Sequence, residues 1–218
     1  FLAAAKVGGI SANNMYSSDF IRENLRIQTN VIDAAHRHGT ERLLFLGSSC
    51  IYPKTASQPI REDAFLTGPL EETNLPYAVA KIAGKVMCDA YRKQHGFDAF
   101  TIMPCNVYGI GDNFHPENSH IVAGLMRRFH EAKEQSLKSV DVWGTGNPMR
   151  ELIFADDLAE ACIFLMLNYS DGNMVNIGTS EEISVKKLAQ LMAKVTNFRG
   201  QIRFDNSRPD GTLRKLMD

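Results

Sequence analysis

Hydrophobic positions along the chain alternate between helical spacing and short continuous apolar runs. Helical spacing covers residues 19–38, and Gly39 is typical of a helix stop. Residues 43–47 are apolar throughout, as expected for a strand of a parallel sheet that is covered on both faces. A helix is predicted over 77–95 and a strand over 100–103. Strand, helix and strand in this order predict a doubly wound α/β layer.

The predicted elements become shorter after Gly109. We expect helices and short strands in alternation: helices over 119–135, 157–168 capped by Asp156, and 184–196 capped by Ser184, with strands over 140–142, 152–154, 175–177 and 202–204. The pattern predicts a smaller α/β domain over 110–218, interleaved with the first domain over 1–109. Residues 152–178 are expected to return to the layer of the first domain.

Both ends of the sequence are abrupt. Residues 1–5 have the composition of a buried strand end that runs directly into the loop at 6–9, and residues 214–218 stop without a capping Gly or a polar tail. We therefore expect an internal fragment. Its fold class is α/β, a partial doubly wound parallel sheet of the Rossmann type that lacks its first strands, with a smaller interleaved α/β domain.

Composition excludes several classes of function. The 218 residues carry 24 basic and 25 acidic side chains, so nothing favours a nucleic acid or an acidic membrane surface as partner. No apolar run approaches the roughly twenty residues that span a bilayer. Four cysteines without a CxxC pair indicate reduced thiols. We expect a cytoplasmic enzyme.

Three residues carry the first candidate chemistry. Ser48 follows the strand 43–47, and ligands of doubly wound sheets bind at the carboxyl ends of the strands. Tyr77 and Lys81 are four residues apart on a predicted helix, so the ammonium can lie near the phenol and stabilise its anion. A Tyr-x-x-x-Lys pair alone is weak, because an exposed cation beside a half-buried phenol is common. The strand serine makes the catalytic interpretation stronger.

Five short runs extend this pattern: AAAKVGG at 3–9, GSSCIYP at 47–53, PYAVAK at 76–81, NVYG at 106–109 and NFHP at 113–116. The chain resembles the extended short-chain dehydrogenase/reductase superfamily and, within it, the GDP-L-fucose synthase family. The resemblance continues through 142–144, 148–151 and 208–212, although the family's Gly-rich GxxGxxG turn is missing. It implies NADPH-dependent epimerisation at C3 and C5 and reduction at C4 of GDP-4-keto-6-deoxy-D-mannose. The implied cofactor is NADP(H), the implied substrate a GDP-sugar, and the implied assembly a homodimer.

The resemblance also implies the roles of individual residues. The catalytic set is Ser48, Cys50, Tyr77, Lys81 and His120. The cofactor set is Ala4, Lys6, Ser48, Tyr77, Lys81, Pro104, Asn106, Val107 and His120, within a dinucleotide-binding domain over 1–109. The substrate set is Asn106, Arg128, Trp143, Arg150 and Arg208, mainly within a substrate-binding domain over 110–218. Cys50 and His120 would be the base and the acid of the epimerisation, since a thiol near an imidazole can lose its proton near pH 7; which is base and which is acid stays open.

Two other functions remain possible at this point. One is a different nucleotide-sugar epimerase or a dehydratase on the same scaffold, although a dehydratase would place an acidic pair where Ser49 and Cys50 stand. The other is a non-catalytic regulator that senses a dinucleotide, against which the presence of Tyr77 and Lys81 counts. No metal site is expected, because no Cys/His cluster has zinc spacing.

Overall fold

The computed structural model describes residues 1–208 and 210–218 and has an α/β architecture. These residues form six α-helices: α1, Ile10–Met15; α2, Ser17–Arg37; α3, Leu75–His95; α4, Ile121–Glu134; α5, Ala155–Asn168; and α6, Val185–Val195. The same residues form eight strands: β1, Arg42–Leu46; β2, Asp98–Pro104; β3, Asn106–Tyr108; β4, Ser139–Trp143; β5, Met149–Phe154; β6, Val175–Ile177; β7, Glu182–Ser184; and β8, Gln201–Asp205.

Strands β1, β2 and β6 form a parallel sheet in that spatial order, which we call the main sheet. Leu2 adds one parallel bridge to Phe45 on the other side of β1. Alternate residues of β1 face opposite sides of the sheet. Phe45 belongs to a core cluster with Cys88 of α3, whereas Leu44 belongs to a cluster with Leu158 of α5. Helices therefore cover both faces, which confirms the predicted doubly wound layer.

The remaining strands form two small sheets beside the main one. β4 pairs with β8 in parallel, and β5 lies between β3, which is parallel to it, and β7, which is antiparallel. Helices α4 and α6 pack together over a third core cluster, whose buried members include Val122, Leu125, Phe129, Val140, Leu188 and Met192. Of the region 152–178, β6 joins the main sheet while β5 does not. The domain boundary at 109/110 stays a prediction.

Every predicted helix and strand within residues 19–204 is present, with ends that differ by at most three residues. Ser184 caps α6 as expected, since its Oγ accepts a hydrogen bond from Lys187 N at 3.2 Å. The prediction that Asp156 caps a helix is wrong, because Asp156 lies inside the first turn of α5. There its charge complements the helix dipole. Of the expected strand at residues 1–5, Leu2 alone forms a bridge.

Two irregular segments meet at the carboxyl end of the main sheet. One is the predicted long loop 50–76, and the other is residues 210–218, which we call the strap. Ile60 N donates to Leu216 O at 2.7 Å, and Asp218 N donates to Ile60 O at 2.9 Å, so the strap pairs with the loop as a short parallel ladder. None of the helices in the described residues is long and apolar enough to cross a membrane.

Candidate active site

A cleft of about 640 Å³ lies at the carboxyl ends of β1 and β2, with the smaller sheets forming its other wall. Its volume is in the range of pockets that hold small organic ligands. The cleft brings together all five predicted catalytic residues, which are Ser48, Cys50, Tyr77, Lys81 and His120. This is the position at which doubly wound sheets bind their ligands.

Ser48 and Cys50 enter the cleft through a tight turn after β1. Gly47 N donates to Ile102 O at 2.8 Å, and a Cβ at this position would lie 2.9 Å from the same oxygen and overlap with the side chain of Met103. Glycine therefore lets the chain stay close to β2 beyond the end of β1. Ser48 is extended, and its Oγ accepts a hydrogen bond from Cys50 N at 3.3 Å. The turn presents both side chains to the same space.

Lys81 projects from α3 into the base of the cleft. Its Nζ donates a 2.7 Å hydrogen bond to Leu46 O and lies 4.8 Å from the centre of the Phe45 ring. The residue is only 3% exposed. Burial lowers the pKa of Lys81 to about 8, because the charged form loses its hydration.

Tyr77 lies one turn before Lys81 on the same helix, which begins with Pro76 in its first turn. Burial, and to a lesser extent the charge of a Cys50 thiolate, raise the pKa of Tyr77 above its usual value, and a hydrogen bond with Ser48 offsets part of the rise. The role of Lys81 in stabilising the phenolate stays a prediction. The ammonium lies 5.9 Å from the centre of the phenol ring, and it is hydrogen-bonded to Leu46 O. Tyr77 therefore holds its proton.

The two expected epimerisation residues line the cleft from different elements, Cys50 from the turn after β1 and His120 from the start of α4. Cys50 Sγ accepts contacts from Asn74 Nδ2 at 3.4 Å and from Lys215 Nζ at 3.7 Å. His120 precedes the first turn of α4 and lines the cleft, although part of its side chain meets solvent. Desolvation by the surrounding protein lowers the pKa of His120, and the carboxylate of Asp112 opposes that change.

Asn74 is a residue of the cleft that sequence reasoning missed. It stands at the N-terminal boundary of α3, where Glu71 Oε2 accepts a hydrogen bond from its backbone N at 3.3 Å. Its place immediately before the helix that carries Tyr77 is the signal that would have found it. The side chain supplies an amide donor to the Cys50 sulfur.

Cations and one aromatic ring form the outer part of the cleft. The guanidinium carbon of Arg128 lies 4.9 Å from the ring centre of Trp143, and that of Arg208 lies 5.1 Å from it. Arg128, Trp143 and Arg150 line the cleft. Arg208 does not line it but packs on the Trp143 ring. Burial lowers the pKa of Arg128. Positive charge beside a half-exposed aromatic ring suits a ligand that carries both phosphate and a flat base.

Arg150 has a second set of contacts. Its Nη1 donates to Met149 O and Thr212 O, each at 2.7 Å, and its Nη2 donates to Asp210 O at 3.2 Å. Burial lowers the pKa of Arg150, and the charge of Asp210 opposes that change. The guanidinium thus holds the strap while it lines the cleft.

The predicted cofactor residues divide into two groups. Pro104, Asn106 and Val107 line the cleft together with the catalytic set. Ala4 and Lys6 do not line the cleft, although residues 3, 5 and 7 do. Lys6 Nζ instead forms an ion pair with Glu23 at 3.2 Å. The binding roles of Ala4 and Lys6 stay predictions.

Within residues 1–208 and 210–218, no group of three or more His, Cys, Asp or Glu side chains is arranged to hold a metal ion.

A strand serine, a helical Tyr/Lys pair and a cleft at the carboxyl ends of a parallel sheet together define a dinucleotide-dependent enzyme class. The NAD dependent epimerase/dehydratase family matches residues 1–178, and the chain belongs to that family.

Within this family the chain is similar to several GDP-L-fucose synthases. It is 61% identical over its full length to putative GDP-L-fucose synthase 2 of Arabidopsis thaliana, of which it covers 66%. It is 51% identical to the GDP-L-fucose synthase of Escherichia coli K12 and covers 71% of it. A crystal structure of a GDP-L-fucose synthetase from Naegleria fowleri bound to NADP superposes with a TM-score of 0.90, at 26% identity, over 99% of this chain and 66% of that one. The chain spans about two thirds of the length of these relatives.

Proposed function

We propose that the intact protein converts GDP-4-keto-6-deoxy-D-mannose to GDP-L-fucose with NADPH, by epimerisation at C3 and C5 and reduction at C4. The observation that carries the proposal is the meeting of two kinds of chemistry in one cleft. Ser48, Tyr77 and Lys81 suit ketone reduction, and Cys50 and His120 add a separate acid/base pair. Support also comes from the 61% and 51% identity to GDP-L-fucose synthases.

Ketone reduction needs a proton at the carbonyl oxygen. NADPH, when bound, supplies the hydride. Tyr77 enters the reaction as a neutral phenol, since burial raises its pKa, and it gives its proton to the oxygen. Ser48 donates a hydrogen bond to the same oxygen as negative charge develops on it. Lys81, below both, supplies positive charge that stabilises the phenolate left behind.

Epimerisation needs a base that removes a proton beside the ketone and an acid that returns one to the opposite face. Cys50 and His120 both line the cleft, so both can reach a sugar ring bound there. Asn74 Nδ2 and Lys215 Nζ both contact the Cys50 sulfur, at 3.4 Å and 3.7 Å. These two donors would stabilise negative charge on the sulfur, and we therefore favour Cys50 as the base.

The GDP part of the substrate would occupy the outer cleft. Arg128 and Arg150 can bind the diphosphate oxygens, and Trp143 can stack on the guanine. Asn106 would contact the sugar. Arg208 adds charge from behind the indole.

The assembly and location are also part of the proposal. Val31 of α2 and Val86 of α3 are exposed on the side of these helices that faces away from the main sheet. We propose that this surface forms an isologous dimer, the commonest oligomer geometry. Met87 is not part of this surface, because it packs against the core cluster that contains Cys88 and Phe97. A cytoplasmic location stays a prediction.

An assay of the intact protein tests the activity. Incubated with NADPH and the keto-sugar, it should form GDP-L-fucose with one NADPH oxidised per product. A 4-epimerase on the same scaffold would invert the sugar without net NADPH oxidation, and a dinucleotide-sensing regulator would bind NADPH without turnover. Either result would refute the proposal.

A further inference from the structure

The strap carries a residue to the catalytic thiol and is anchored along most of its length. Thr145 donates to Asp210 through its backbone N at 2.7 Å and through its Oγ1 at 2.8 Å. Met149 N donates to Leu213 O at 2.9 Å. Arg214 pairs with Glu182. These contacts bring residue 215 to the Cys50 side of the cleft.

Glu151 of β5 is a fully buried carboxylate with relative exposure of 0%. Its Oε1 accepts hydrogen bonds from Thr179 N at 2.6 Å and Ser180 N at 2.9 Å. Its Oε2 accepts one from Met217 N at 2.8 Å. A Cβ at Gly178 would overlap with this carboxylate, so the packing around it leaves no spare room. A buried charge is costly without such partners. These three hydrogen bonds therefore fix the carboxylate of Glu151 relative to the backbone at 179, 180 and 217.

The strap is held on its other side by the loop 50–76. Gln58 Oε1 accepts a hydrogen bond from Leu216 N at 2.8 Å, next to the backbone ladder with Ile60. Leu216 and Met217 are thus fixed from opposite sides, by a side-chain amide and by a carboxylate. Lys215 precedes this fixed pair, and its Nζ rests 3.7 Å from Cys50 Sγ.

We infer that Glu151 is a positioning residue for Cys50: its carboxylate fixes the strap at Met217 so that the Lys215 ammonium stands beside the thiol and stabilises the thiolate. This inference deepens the proposed function and rests on it for the role of Cys50. The contact between Glu151 and Cys50 is indirect. It runs through two residues of backbone and one lysine side chain.

The variant Glu151→Gln separates the roles of the two carboxylate oxygens, because Oε1 binds the loop at 179–180 and Oε2 binds the strap at Met217. An amide has one acceptor oxygen, which can keep the two donors at Thr179 and Ser180. Its NH₂ group then faces Met217 N, donor against donor, so the strap is released there while the loop 178–180 stays bound. Lys215 loses its fixed place, and the thiolate loses its cation.

The readout is the rate of alkylation of Cys50 by iodoacetamide in the intact protein, followed by mass spectrometry of the Cys50 peptide across pH 6 to 9. At pH 7 we expect Glu151→Gln and Lys215→Met each to slow alkylation by about three- to tenfold, the effect of a change of up to one pH unit in thiolate formation. The double variant should be no slower than either single variant, because both remove the same cation. Glu131→Gln, whose carboxylate pairs with Arg127 on α4, should leave the rate unchanged.

An unchanged rate in Glu151→Gln, or multiplied effects in the double variant, would overturn the inference. Gln58→Ala removes the hydrogen bond to Leu216 N at the other side of the same strap, and it should slow alkylation in the same direction even if Glu151→Gln fails to fold. Alkylation does not depend on turnover. Failure of the proposed activity with slowed alkylation would therefore refute the function alone.

Discussion

Tyr77 and Lys81 show how burial sets the starting charges of the site. Loss of hydration raises the pKa of the phenol and lowers that of the amine to about 8, so both groups move toward their neutral forms. A neutral phenol is what a proton donor requires. Tyr77 is therefore prepared to give a proton to a ketone oxygen rather than to remove a proton from the substrate.

Tyr77→Phe should lower the rate of keto-sugar reduction by about 100- to 10,000-fold, the usual contribution of a general acid. The phenyl ring keeps the packing, so NADPH binding should change little. NADPH oxidation and calorimetric binding measure the two effects. Tyr91→Phe, on the same helix but hydrogen-bonded to Asp33 outside the cleft, is the control and should react normally. Near-normal turnover of Tyr77→Phe would remove the phenol from the mechanism.

Cys50→Ser should separate the two half-reactions. A hydroxyl is a far weaker base than a thiolate, so exchange of the protons beside the ketone should slow strongly. Hydride delivery to C4 does not need the thiol, so the unepimerised sugar can still be reduced. Deuterium uptake from heavy water measures the exchange, with Cys88→Ala as a control at a buried cysteine outside the cleft. Unaltered exchange would leave Cys50 a structural residue.

Lys81 predicts a pH dependence of stability. Its pKa falls from 10.5 to about 8 on folding, so the folded state binds fewer protons than the unfolded state between these values. The penalty of burying a charged amine is therefore present below about pH 8 and is relieved as the pH rises. Relative to Lys81→Met, the wild-type protein should gain on the order of 1 kcal/mol per pH unit between pH 8 and 9.5. Urea unfolding of both proteins measures the difference, and a constant difference would contradict the account.

At the scale of the elements, the hydrophobic pattern of a segment predicted the helices and strands whose burial that pattern reflects. The apolar run 43–47 and the helical spacing before Gly96 gave β1 and α3, because burial on both faces and a left-handed stop leave clear signals. Strands β3 and β7, which pair with the two edges of β5, were missed. Ser48, Tyr77 and Lys81 were predictable from spacing. Glu151 was not, because its three donors come from residues 28 to 66 positions away.

Gly84 lets α3 approach β1 closely enough to bring Lys81 under the cleft. A Cβ there would overlap with the ring of Phe45, so Gly84→Ala should push the helix outward. Alanine gains about 1 kcal/mol of helix propensity, but overpacking of a core typically costs about 1–3 kcal/mol. We expect a net loss of stability in urea unfolding together with reduced turnover. Gln94→Ala, on the exposed end of the same helix, should do neither. A stabilised Gly84→Ala would show that Phe45 does not limit a side chain at this position.

At the scale of the whole molecule, α2 and α3 leave apolar side chains in solvent. Val86 is 46% exposed on α3, and a lysine in its place would put like charges face to face across an isologous interface. Val86→Lys should convert a dimer to a monomer in sedimentation velocity at micromolar concentration. Leu167→Lys, on α5 and 75% exposed, is the matched control and should remain dimeric. A monomeric wild-type protein would exclude the proposed interface.

The central claim is that one cleft performs two epimerisations and one reduction. The most direct measurement is the isotope pattern of the product formed by the intact protein from the keto-sugar and unlabelled NADPH in heavy water, read by nuclear magnetic resonance. The product should be GDP-L-fucose with solvent deuterium at C3 and C5 and protium from NADPH at C4. Protium at C3 and C5, or deuterium at C4, would contradict it.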